Sequence, residues 1–114
     1  MIVDDEAQVR VGLEALLHSW GCEVRTAEGL GDALRCLDEG FALQLLITDY
    51  RLRDGITGGD VIAAVRQRHP DMPAIIVTGD TDPQRIREAA GHSATLLHKP
   101  VSVAALREAM LGVR

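Results

Sequence analysis

The chain has 114 residues, room for one domain. It is 46% hydrophobic and 25% charged, an ordinary globular balance, and with Trp20, Phe41 and Tyr50 its only aromatic residues the core must be built of Leu, Val, Ile and Ala. A net charge of −5 with no Lys/Arg cluster argues against non-specific nucleic-acid binding by this domain, and no apolar run reaches the about 18 residues of a membrane span.

Met1 to Val3 is a short apolar run, read as a strand, that stops at Asp4 and Asp5. That acidic start does not match a secretory signal, and so short a first strand suggests a domain cut from a longer chain. Val9, Leu13, Leu16, Leu17 and Trp20 form the stripe of an amphipathic helix, with Gly21 as its C-cap. Cys22 to Thr26 alternates weakly and reads as a second strand. Leu30, Ala33, Leu34 and Leu37 mark a second helix, closed by Gly40. Leu43 to Thr48 reads as a third strand, with Asp49 at its end, and a loop carrying Gly55, Gly58 and Gly59 follows. Val61, Ile62 and Val65 mark a third helix, stopped near His69 and Pro70. Ala74 to Thr78, "AIIVT", is the clearest strand. Asp82 and Pro83 signal a fourth helix start, continued by Ile86, Ala89 and Ala90 and ended by Gly91. Thr95 to His98 is a fifth strand, and Ser102 opens a last helix with Val103, Leu106 and Met110 facing inward. Cys22 and Cys36 have neither metal spacing nor enough company for a disulfide framework, so both are expected to be reduced, in a cytoplasmic setting.

The order is strand then helix, five times over. Several strands are continuous apolar runs, which implies a sheet covered on both faces and therefore a parallel α/β architecture. In such sheets ligands gather at the carboxyl ends of the strands. This chain places Asp4 and Asp5, Asp49, Thr78 and Lys99 there. Carboxylates crowded together repel one another, and a divalent cation removes that repulsion. Mg²⁺ suits the set, because it prefers oxygen ligands and commonly takes one or two carboxylates plus a phosphate. One carboxylate could act as the nucleophile and form an acyl phosphate, with the metal, Lys99 and Thr78 stabilising the phosphoryl oxygens.

"IVDDE", "LLITDYRL", "AIIVTGD" and "LLHKP" stand in the order and spacing of a two-component response-regulator receiver domain, and the resemblance covers essentially all of residues 1–114. It implies a flavodoxin-like (βα)5 fold, a doubly wound parallel five-stranded sheet in the order 2-1-3-4-5. It also implies roles: Asp49 as phosphoacceptor, Asp5 as a direct Mg²⁺ ligand and Asp4 as a ligand through water. The backbone carbonyl of Arg51 would complete the protein ligands, Thr78 would be the switch hydroxyl and Lys99 the phosphoryl-binding lysine, with a cis bond to Pro100. The implied partner is a histidine kinase or phosphotransfer protein. A homodimer through the fourth helix, fifth strand and last helix is a further expectation. "TDYRL" is similar to receivers attached to hybrid sensor histidine kinases, while a stand-alone regulator or a transcription factor fits equally.

The sequence departs from the family at Leu96, where many members carry Tyr or Phe three residues before the lysine. An aromatic readout is therefore not expected. Two other readings stand beside the phosphoacceptor: a pseudo-receiver serving only as an interaction module, and an aspartate-nucleophile phosphatase. The latter would want an acid where Arg51 stands. Gly29 and Gly31 lack the third glycine of a nucleotide loop, and the histidines at 18, 69, 92 and 98 show no ligand spacing. Arg51 to Arg53 reads as a solvated loop, with Arg51 as a candidate to steer phosphate access and Asp80 as a candidate to influence phosphoryl hydrolysis.

Overall fold

The computed structural model describes residues 1–79, 84, 87, 91 and 94–112. Its strands are β1 (Ile2–Val3), β2 (Thr26–Ala27), β3 (Leu46–Asp49), β4 (Ala74–Thr78) and β5 (Thr95–His98). All pair in parallel, in the order β2-β1-β3-β4-β5, the flavodoxin-like order expected above. The helices are α1 (Ala7–Ser19), α2 (Leu30–Asp38), α3 (Gly58–Arg68) and α4 (Val103–Gly112), with a short 3-10 turn at Arg53–Gly55. Between β4 and β5, Gln84 and Arg87 are helical, and the Gly91 N–H donates to the Arg87 carbonyl at 3.1 Å. Asp80, Asp82, Pro83, Ile86, Ala89, Ala90 and His92 lie outside the described residues.

Alternation along the strands splits the core in two. Val3, Leu46 and Ile76 join Ala33 of α2 and Val61, Ile62 and Val65 of α3 on one face. Ile2, Ile47, Ile75 and Val77 join Leu13 and Leu17 of α1 and Leu106 and Ala109 of α4 on the other. Each large aliphatic side chain so buried stabilises the fold by about 1.5–3 kcal/mol. With both faces roofed, β1, β3 and β4 are buried along their whole length.

The helix ends follow local chemistry. Gly21 and Gly40 take φ of +82° and +87° just after α1 and α2, as their positions in the sequence required. Ser102 caps α4 by accepting the Ala105 N–H at 3.0 Å.

Several bounds differ from the sequence reading. The second strand is Thr26–Ala27 and not Cys22–Thr26, because its one neighbour, β1, offers only two residues to pair with. The third starts at Leu46, where pairing with Ala74 begins, and it includes Asp49, which pairs with Val77. Gly58 and Gly59, expected in a loop, open α3. Thr57 caps that helix in a reciprocal box, accepting the Asp60 N–H at 3.2 Å while Asp60 accepts the Thr57 N–H at 2.9 Å. In α4, Val103 is 55% exposed, and Ala109 takes the inward place beside Leu106. Among the described residues, no helix is long and apolar enough to cross a membrane.

Candidate functional site

β1 has β2 on one side and β3 on the other, so the chain leaves β1 and β3 in opposite directions and opens a crevice at their carboxyl ends. Asp4 follows β1 directly and is 2% exposed. Its N–H donates to the Ala27 carbonyl at 3.1 Å, its Oδ1 accepts the Glu6 N–H at 2.9 Å, and its carbonyl accepts Arg10 Nη1 at 2.7 Å. Asp5, next along, is half-buried.

Asp49 is the last residue of β3 and is 7% exposed. The Tyr50 N–H still donates to Val77 at 2.9 Å, so the ladder runs past Asp49 and fixes its backbone. α3 closes in from the other side. The Gly58 N–H donates to the Tyr50 carbonyl at 2.7 Å, and a Cβ on Gly58 would stand 2.6 Å from the Asp49 carbonyl oxygen. Only glycine permits that approach, because the obstacle is backbone.

Lys99 reaches the same place from the end of β5. Its N–H donates to the Thr78 carbonyl at 2.8 Å, and its bond to Pro100 is cis, as the resemblance implied. The ammonium lies 3.2 Å from Asp49 Oδ2, 3.5 Å from Asp4 Oδ2 and 3.6 Å from Glu6 Oε1. Burial pushes the Asp49 carboxyl above the usual carboxylate range, Asp4 and Asp5 push it further, and Lys99 pulls it partly back. Burial alone would lower the Lys99 ammonium, but Asp49, Asp4 and Glu6 outweigh it and hold the pKa above the ordinary lysine value.

Asp4, Asp5, Glu6 and Asp49 each bring one carboxylate oxygen within 4.8 Å of the others. This all-oxygen set, with buried Asp4 and Asp49 below and exposed Glu6 at its mouth, fits a hard cation that keeps part of its water shell. Three of these acids were singled out from the sequence. Glu6 was not, although it is the third acid of "IVDDE".

Thr78 ends β4 and is 2% exposed, one residue beyond Val77, the partner of Asp49. Arg51 is exposed and bridges to Thr57 in antiparallel fashion. Arg53 was read as part of a solvated loop, yet it leans on Asp5, its Nε 3.8 Å from Oδ2. Leu96 is half-buried against the core shared with α2 and α3. His18, His69 and His98 are exposed. Gly29 precedes α2 with extended backbone.

Residues 1–111 match the family described as response regulator receiver domain. The chain is 35% identical over 112 residues to the response regulator protein PilR of Pseudomonas aeruginosa, covering 95% of this chain and 24% of that protein. It is 33% identical over 107 residues to the luminescence regulatory protein LuxO of Vibrio campbellii, covering 93% and 23%. It thus spans about a quarter of the length of these relatives. The crystal structure of a response regulator receiver domain protein from Clostridium thermocellum superposes with a TM-score of 0.87 at 29% identity, covering 98% of this chain and 90% of that one.

Proposed function

This chain belongs to the response regulator receiver domain family of two-component signal transduction, and on that premise we propose that Asp49 takes a phosphoryl group from the phosphohistidine of a histidine kinase or phosphotransfer protein. The observation that carries this reading is the position of Asp49: a buried carboxylate at a strand end, 3.2 Å from the Lys99 ammonium and crowded by three further acids.

An Asp49 oxygen forms the new bond to phosphorus as the phosphorus–nitrogen bond breaks, and the electron pair stays on the departing imidazole nitrogen. The reaction needs Asp49 ionised, and Lys99 favours that form. As the carboxylate becomes an acyl phosphate, the Lys99 ammonium passes to a phosphoryl oxygen, and Thr78 donates its hydroxyl to another. Asp5, Asp4, Asp49 and the Arg51 carbonyl would hold Mg²⁺, which supplies neutralisation of the phosphoryl charge when bound.

Output is read from the side of the sheet around β5 and the last helix. Leu96 has no ring to turn inward, so the movement of Thr78 is read through the backbone of β4 and β5, which are paired from Ile75 to Thr78. The same side, with β5 at the sheet edge and Val103 and Leu111 exposed, is the proposed homodimer surface. A cytoplasmic setting, as one domain of a longer regulator, belongs to this reading. PilR and LuxO support a regulator as the parent, more than the hybrid kinase suggested by "TDYRL".

The test is transfer from a phosphohistidine-bearing phosphotransfer protein in MgCl2. Label is expected to move to the wild type, to stay on the donor with Asp49→Asn, and to stay there when EDTA is added. Label retained on the donor by the wild type, together with no labelling from acetyl phosphate, would leave only the interaction-module reading.

A further inference from the structure

The loop after β3 is closed like a small hairpin. Arg51 bridges to Thr57, the Leu52 N–H donates to Ile56 at 2.9 Å, and the Ile56 N–H donates to Arg53 at 3.2 Å. Asp54 and Gly55 turn its tip with φ of +61° and +74°. A loop braced in this way delivers the Arg53 side chain to a defined place, the solvent side of Asp5. Nε stands 3.8 Å from Asp5 Oδ2, and Nη2 donates to the Asp5 carbonyl at 3.4 Å. The side chains are 72% and 22% exposed, so the pair adds little to stability. Its meaning lies in where it sits. Among the ion pairs of the described residues, Lys99 serves Asp4, Glu6 and Asp49, while Arg53 serves the remaining acid of the cluster.

We propose that Arg53 is the resting counter-ion of Asp5 and competes with the divalent cation for it, so that this one arginine sets the cation affinity of the site. The inference rests on the magnesium reading given above. Once Asp5 serves a doubly charged ion, a guanidinium on the same carboxylate is repelled and withdraws to solvent, where it already is for the most part. The competition is between charges near water, so salt weakens it.

Calorimetric titration of the intact chain with MgCl2 tests this directly, without reference to phosphorylation. At low ionic strength Arg53→Gln is expected to bind Mg²⁺ about twofold to fivefold more tightly than wild type, the range of an exposed ion pair. Arg53→Lys should stay near wild type, and the gain should shrink at about 1 M salt, where the Debye length falls to about 3 Å. Arg68→Gln removes an equal charge from the remote Asp38 pair and should leave the affinity unchanged. Unchanged or weaker binding by Arg53→Gln overturns the inference, as does equal tightening by Arg68→Gln, since net charge alone would then explain it. Wild type that fails to bind Mg²⁺, or binds it equally after Asp5→Asn, overturns the magnesium reading itself.

Discussion

Leu46 and Asp49 belong to one four-residue strand and are buried almost alike, at 0% and 7% exposed, yet burial has opposite consequences at the two positions. At Leu46 it removes apolar surface from water and stabilises the fold. At Asp49 it sets a carboxylate beside Asp4 and Asp5 and drives its pKa upward even with Lys99 at hand. The strand body holds the tip rigid, and the tip works against the body. The comparison teaches that the site is a place where the fold tolerates repulsion, which a bound divalent cation would relieve.

The largest way to break this contrast is Asp49→Asn. Phosphorylation should be lost entirely while the metal-free protein gains thermal stability at neutral pH, measured by acyl-phosphate labelling and by differential scanning calorimetry on one preparation. A loss of both would show that Asp49 supports the fold, and the contrast would fail. Ile75→Ala attacks the body. Its side chain is 0% exposed, and truncation should cost about 2–5 kcal/mol in urea unfolding, with the Mg²⁺ affinity of the remaining folded protein unchanged.

Gly58→Ala falls between the two. Its Cβ would press on the Asp49 carbonyl, so a cost of about 1–3 kcal/mol is expected, together with a slower labelling rate. Slower labelling separates it from Ile75→Ala, whose folded fraction should label normally. The smallest effect is in pH. Asp49 holds its proton more tightly folded than unfolded, so its contribution to stability is present at acid pH and lost as pH rises through its folded value. The stability gap between wild type and Asp49→Asn should therefore close as pH falls toward 3.8, the ordinary aspartate value, when followed by thermal melts without metal.

How much of this could be read from the residues varied with the range of the forces involved. β4 was legible to the residue because "AIIVT" is a continuous apolar run paired on both sides. β2 was not, since its length is set by β1, far off in sequence. The start of α3 was hidden by two glycines that are poor helix formers, although Thr57 and Asp60 carried the spacing of a capping box. Asp4, Asp5, Asp49 and Lys99 were legible as strand-end residues, and the structure brings them together. Glu6 needed the turn into α1 to be known. Arg53 had no local signal, because its partner Asp5 is 48 residues away and the Arg-rich stretch Arg51 to Arg53 reads as a solvated loop.

The central claim is that the tip of β3 is a nucleophile made usable by its neighbours. The most direct measurement labels the chain with phosphoramidate in MgCl2, reduces the product with borohydride and maps the modified residue by mass spectrometry. Conversion of Asp49 to homoserine, abolished by EDTA, is the expected result. Modification at any other residue, or labelling of Asp49 that is indifferent to EDTA, would contradict it.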